Sequence, residues 1–185
     1  MKTKKNIWLW VVIGVIVIVG VVLLSSNLKQ QKTLKDESQE TVPWINSELK
    51  DVRTGETFKI SDFEGKPVLL ESFAVWCPTC TKQQKEVKKL HEELGDSIVS
   101  VSLDTDPNED ESKILAHINE NGFEWYYAVS PIEMTQALMS DFGNSIINAP
   151  SAPMVLVCKD GSYRKLGGTG ARGVDRLKEE IAKGC

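Results

Sequence analysis

An unbroken stretch from Val68 to Val75, apolar but for Glu71 and Ser72, gives way at Trp76-Cys77-Pro78-Thr79-Cys80 to a segment whose apolar residues fall three and four apart. A chain written this way leaves a buried strand and enters an amphipathic helix, with two cysteines at the joint. Pro78 suits the first helical position, where its missing N–H costs nothing and its fixed φ fits the helix. Cys77 then falls at the N-cap and Cys80 one turn on, on the same face, with about 5–6 Å between Cα atoms, the distance at which a disulfide closes. Unpaired N–H groups and the helix macrodipole favour a thiolate there, and such cysteines have pKa values of roughly 3.5–7.5 instead of about 8.5. Cys77 is therefore the attacking sulfur and Cys80 its partner. Half of a zinc site and an inert buried pair are the competing readings. Zinc would need two more ligands, and Cys158, Cys185, His91 and His117 offer no locally paired set.

Ile7 to Leu24 carries no charged side chain over 18 residues. At about 1.5 Å per residue that is roughly 27 Å, close to the hydrocarbon thickness of a bilayer. Lys2, Lys4 and Lys5 precede it, so the positive-inside rule predicts a single-pass anchor in the cell membrane, with a cytoplasmic N-terminus and an extracytoplasmic remainder. A cleaved signal peptide would have a shorter apolar core and a small-x-small site, which Ser25-Ser26-Asn27 matches poorly. Residues 25–42 are polar and aperiodic and read as a flexible linker; residues 43–185 suffice for one domain with its own core. The formal net charge of −4 already includes the three N-terminal lysines, so the remainder is more acidic still, which argues against nucleic acid as a partner.

Within that domain, Leu49 to Ile60 reads as a hairpin turning at Thr54-Gly55, followed by a helical turn at Ser61-Asp62-Phe63. The spacing predicts helices over Pro78–Leu94, Pro107–Asn121, Pro131–Phe142 and Val174–Ala182, with Asp106 capping the second and Gly122 closing it. Strands are predicted over Ile98–Leu103, Phe123–Val129, Met154–Cys158 and Tyr163–Leu166, the last two joined at Asp160-Gly161. Alternating strands and helices that end in a hairpin and a helix imply an α/β fold whose sheet has a parallel part and an antiparallel edge.

Three segments resemble the thioredoxin superfamily, and more closely its membrane-anchored, outward-facing branch that includes proteins of cytochrome c maturation. They are Phe73 to Cys80; Ala152-Pro153-Met154-Val155-Leu156-Val157 followed by Lys159-Asp160-Gly161; and the N-terminal hairpin leading into Ser61 to Pro67. The resemblance spans roughly Glu48 to Lys183. It implies a thioredoxin fold, a central mixed sheet flanked by helices, with the hairpin as an N-terminal extension and the membrane helix before it. It also implies that Pro153 is cis and lies beside the two sulfurs, keeping metal away from them and leaving the Ala152 backbone free to pair with an extended substrate. A trans Pro153 at a strand start, with Pro150 the special proline, is the alternative.

Glu71 interrupts the apolar stretch six residues before Cys77, where thioredoxin has a buried acid that relays a proton for the second cysteine. If buried, its carboxyl would have a raised pKa and could deprotonate Cys80; a strand-edge glutamate reaching water is the bland reading. Trp76 either shapes the surface around Cys77 or simply packs. His91 and His117, set among charged residues on helices, are expected to face solvent. The acids Asp104, Asp106, Glu109, Asp110 and Glu111 lack calcium-loop spacing and are mostly explained by helix capping. Cys158 and Cys185 are a candidate structural disulfide, the alternative being an inert core cysteine and a frayed terminal thiol.

The resemblance implies a thiol-disulfide oxidoreductase acting on extracytoplasmic proteins. It is expected to work without a cofactor, as a monomer, and as a reductant fed by a transmembrane electron donor. Two rivals are a peroxiredoxin-like thiol peroxidase and a copper(I) chaperone. The first resembles a family with Pro and Thr seven and three residues before its cysteine, where this chain has Leu70 and Ala74. The second would use Cys77 and Cys80 as thiolate ligands.

Overall fold

Two short strands, β1 (Leu49–Lys50) and β2 (Thr57–Phe58), pair antiparallel ahead of the main sheet in the computed structural model, which describes residues 44–185. The anchor and linker expected over residues 1–42 lie outside the described residues. The apolar stretch forms β3 (Val68–Phe73), the middle strand of five. Around it stand β4 (Val99–Asp104), β5 (Tyr126–Val129), β6 (Met154–Val157) and β7 (Tyr163–Lys165), in the order β5-β4-β3-β6-β7. β3, β4 and β5 run parallel, and β6 and β7 complete the sheet antiparallel.

Alternation along the strands sorts the side chains into two cores. Leu69 and Phe73 of β3, with Met154 and Leu156 of β6, pack under three helices: α1 (Pro78–Leu94), α2 (Glu111–Asn121) and α4 (Val174–Lys183). Val68 and Leu70, with Val155 and Val157, pack on the other face against α3 (Ile132–Phe142) and the segment containing Trp44, Leu49, Phe58 and Ile60. α1 buries the stripe of Val87 and Leu90, each contributing about 1.5–3 kcal/mol of apolar transfer. Gly95 ends the helix at φ 53°.

α2 starts one turn later than the spacing predicts. Asp110 takes the cap, accepting from the Lys113 N–H at 3.0 Å. Asp106 instead makes a local turn, its Oδ1 accepting from the Asn108 N–H at 2.9 Å. Its other oxygen is engaged by Trp76 and the Glu109 carboxylate by Val75, which holds residues 106–109 off the helical path.

Both histidines depart from the solvent-facing expectation. His117 is buried between α1 and α2, its Nε2 bonded to Gln84 Oε1 at 2.7 Å and its ring beside Phe73 and Phe123. His91 is half-buried, stacked 5.6 Å from Trp125, with Nε2 at 2.9 Å from Ser100 Oγ. Burial lowers the pKa of both rings. Their hosts are helices packed on a strand with polar inward residues, so a polar ring finds partners inside.

At the far end of the sheet from the Cys77 turn, Cys158 and Cys185 are joined with Cα atoms 6.0 Å apart. The bond ties the end of α4 to the β6–β7 hairpin across 27 residues. On the chain-entropy account such a closure restrains the unfolded chain by roughly 3–4 kcal/mol.

Candidate active site

The parallel strands β3 and β4 end side by side, Phe73 opposite Asp104, and the chain from β3 passes through Ala74-Val75-Trp76 into α1. Cys77 is the N-cap of α1 in extended conformation, with Pro78 at the first helical position. Its sulfur accepts the Cys80 N–H at 3.1 Å, so an orphan donor of the helix end points at this sulfur. The two cysteines are disulfide-bonded with Cα atoms 5.3 Å apart. Cys80 Sγ also lies 3.1 Å from the Ala149 carbonyl, an acceptor for its S–H once the bond is reduced. In the closed form the sulfurs are covered, Cys77 at 0 % and Cys80 at 1 % exposure, whereas Trp76 is 58 % exposed. The Trp76 indole N–H donates to Asp106 Oδ2 at 2.6 Å, which fixes the ring over the loop. Beside it a surface depression of about 490 Å³ is lined by Val75, Trp76, Pro78, Thr81, Lys82 and Lys85.

Glu71 lies on the helix-covered face of β3, 3 % exposed. The Ser102 hydroxyl donates to its Oε1 at 2.6 Å, and Trp125 Nε1 donates in turn to that hydroxyl at 2.8 Å. Burial raises the carboxyl's pKa to about 7 against the smaller, lowering influence of Ser102 and Gln84. Gln84 is on α1 one turn beyond Cys80, so the buried acid has a polar neighbour on the cysteine-bearing helix, although Gln84 Nε2 completes no hydrogen bond.

Pro153 departs from the geometry the resemblance implies. No peptide bond among the described residues is cis, and the reversal is carried by Ala152, in the left-handed region at φ 46°. Residues Ala149–Ser151 form a 3-10 turn, and the Ala152 N–H closes on the Ala149 carbonyl at 2.8 Å, which sets that conformation and delivers Pro153 into β6. The Pro153 carbonyl accepts the Ser72 N–H at 3.3 Å, continuing the β3–β6 ladder.

Two features of the site carry no sequence signal of their own. Arg172 is buried, and its guanidinium donates to the carbonyls of Ala152 at 2.8 Å, Leu166 at 3.3 Å, and Gly167 and Gly168 at 3.1 Å. Its backbone N–H donates to Gln83 Oε1 at 2.7 Å, tying this loop to α1. Glu109, read from sequence as part of a capping cluster, instead accepts the Val75 N–H at 2.6 Å. An arginine followed by glycine near a chain end reads as surface, and only the fold brings the carbonyls around it.

The family model described as Redoxin matches residues 27–172. A curated relative, the thiol-disulfide oxidoreductase ResA of Halalkalibacterium halodurans, is 22 % identical over 190 residues, covering 98 % of each chain. The thioredoxin-like protein YneN of Bacillus subtilis is 30 % identical over 105 residues, 56 % of this chain and 61 % of that one. Among solved structures, a thiol:disulfide interchange protein of the thioredoxin family from Chlorobium tepidum superposes with a TM-score of 0.61 at 15 % identity, covering 75 % of this chain and 92 % of that one. With a strand-to-helix turn that seats a disulfide-capable pair on a mixed sheet, the chain belongs to the Redoxin family and is a thiol-disulfide oxidoreductase of the thioredoxin superfamily, with Cys77 and Cys80 as its CxxC pair.

Proposed function

We propose that the protein is a membrane-anchored reductant of disulfides in extracytoplasmic proteins. The observation that carries the chemistry is the Cys80 N–H aimed at Cys77 Sγ at the start of α1, an arrangement that stabilises a thiolate on the first sulfur. In the reduced enzyme the Cys77 thiolate attacks one sulfur of a substrate disulfide, that S–S bond breaks, and the departing thiolate takes a proton. Cys80 then loses its proton and attacks Cys77 Sγ, releasing the second substrate thiol and leaving the enzyme as the disulfide. Two electrons and two protons have passed to the substrate. A dithiol partner returns them, and the lysine-preceded apolar run Ile7 to Leu24 supports a membrane setting for that exchange.

Trp76 is the exposed surface that a substrate segment meets; the Ala152 backbone, expected from the resemblance to be free for pairing, is buried with its N–H on the Ala149 carbonyl and its own carbonyl on Arg172. Glu71 takes the proton that Cys80 gives up. A carboxyl with a pKa of about 7 is matched to that task near neutral pH. The midpoint potential of the Cys77/Cys80 couple, measured by equilibration with glutathione, tests the direction. A value near about −270 mV supports reduction, and one near −120 mV would make the protein an oxidant.

Glu71 supplies a pH-dependent result. Its folded pKa lies above the reference value of 4.5, so the unfolded chain ionises first as pH rises, and stability falls between about pH 4.5 and 7 before levelling. At about 1.4 kcal/mol per pH unit the full effect is on the order of 3 kcal/mol. Glu71→Gln should therefore be more stable than the wild type in urea titrations at pH 8 and match it near pH 4. The same variant should resolve mixed disulfides more slowly at neutral pH. Equal pH profiles for the two proteins would remove the buried carboxyl from the account.

A further inference from the structure

Asp104, at the end of β4, is 1 % exposed, and only one of its oxygens is satisfied by a donor: Oδ1 accepts the Asp106 N–H at 2.9 Å. Oδ2 is buried with no donor directed at it. The group beside it is another carboxyl, that of Glu109, whose own Oε2 is held by the Val75 N–H at 2.6 Å. Two acceptors facing each other in a buried place are satisfied by a shared proton. Val75 belongs to the three-residue loop between β3 and Cys77, and Trp76 in that loop is held by Asp106.

We infer that Asp104 and Glu109 share a proton, and that Glu109 is thereby a positioning residue, clamping the Val75 amide and with it the three-residue loop that leads into the attacking sulfur. The inference rests on Cys77 being the nucleophile. While the pair is protonated the clamp holds. Once Asp104 ionises, two negative carboxylates repel, Glu109 lets go of Val75, and the covered sulfur becomes easier to reach. Burial, followed by the neighbouring negative charges of Glu109 and Asp106, raises the Asp104 pKa to about 7, against the lowering influence of the Asp106 N–H. The other charges bearing on the pair are Lys113, which acts on Asp106, and His117 of α2, which feels the negative charges of Glu120 and Glu109. β3 presents the Phe73 backbone, and β5 presents Val129 and the Ser130 N–H bonded to the Asp104 carbonyl. Glu71, one register step back, bonds Ser102 and not Asp104.

The test is the pH profile of iodoacetamide alkylation of the reduced full-length protein, with the modified cysteine identified by peptide mass. Because Glu71 titrates in the same range, every protein compared carries Glu71→Gln. The parent should show a rise in Cys77 alkylation near pH 7 in addition to the thiol's own ionisation. Asp104→Asn, whose amide donates permanently to Glu109, should lose that rise and stay slow. Glu109→Ala should already react several-fold faster than the parent at pH 6. A retained rise in Asp104→Asn, or a Glu109→Ala rate at pH 6 equal to the parent's, would overturn the clamp. Should the Asp104 or Glu109 variant fail to fold, hydrogen exchange of the Val75 amide in the Glu71→Gln parent decides the matter. Protection that falls between pH 6 and 8, after correction for intrinsic exchange, supports the clamp, and constant protection refutes it. Alkylation of Cys80 in place of Cys77 would instead refute the assignment of the nucleophile.

Discussion

Cys80→Ser is expected to trap the enzyme on its substrate. With Cys77 intact the first exchange proceeds, and without a resolving thiol the mixed disulfide persists. On non-reducing gels the full-length variant, reduced and then mixed with a disulfide-bonded protein, should run as a covalent adduct that dithiothreitol releases. Cys77→Ser should form no adduct and should lose essentially all disulfide reductase activity, because Cys80 Sγ has no helix-end donor aimed at it and faces the Ala149 carbonyl, an acceptor that favours its S–H over a thiolate. The hydroxyl of serine is no substitute, since a thiolate is the nucleophile in this exchange. An adduct through Cys80 in the Cys77→Ser protein would reverse the order of attack. These variants bear on catalysis alone, because the second disulfide, Cys158–Cys185, keeps its tie on α4.

Arg172→Met is expected to be strongly destabilising. The methionine keeps part of the aliphatic stem but leaves the carbonyls that the guanidinium gathered without a donor. Gly167 and Gly168 are exposed and can turn to water, whereas Ala152 and Leu166 are buried. Two buried acceptors left unpaired, at about 1–3 kcal/mol each, imply a loss of roughly 2–6 kcal/mol in chemical unfolding. Arg172→Lys should fall between, since an ammonium reaches fewer of these carbonyls than a planar fork. Function should respond unevenly. Ala152 sits at positive φ, a conformation that costs a residue with a Cβ about 1–2 kcal/mol, and Arg172 holds its carbonyl. Releasing it loosens the turn of residues 149–153, whose Ala149 carbonyl lies 3.1 Å from Cys80 Sγ, so kcat for a protein substrate should fall more than KM rises, with the cysteine couple's potential little changed. A variant as stable as the wild type would make this buried cation incidental.

Much of this arrangement could be read in the chain before any coordinates. The strand, the cysteine turn and α1 were legible because each level agreed: apolar continuity, a proline fit for the first helical turn, and a stripe at Val87, Leu90 and Leu94. Gly122 and Gly143 marked the ends of α2 and α3 for the same local reason. The fate of β4 was not legible. Ser100, Ser102 and Asp104 alternate with valine and leucine as on a half-exposed strand, yet both faces are buried. The polar face lies under α1 and α2, where Ser102 meets Glu71, Ser100 meets His91 and Asp104 meets Glu109. That burial is also why His91 and His117 turned inward.

Composition and spacing by themselves determined that a dithiol stands where a helix begins, because capping, proline placement and helical periodicity act over a few neighbouring residues. Only the tertiary structure decided which polar groups surround that dithiol, that Ala152 and not a cis bond turns the chain, and that Arg172 holds the turn. Those outcomes depend on strands and loops distant in sequence meeting in a medium without water, where each donor must find whichever acceptor the packing brings near.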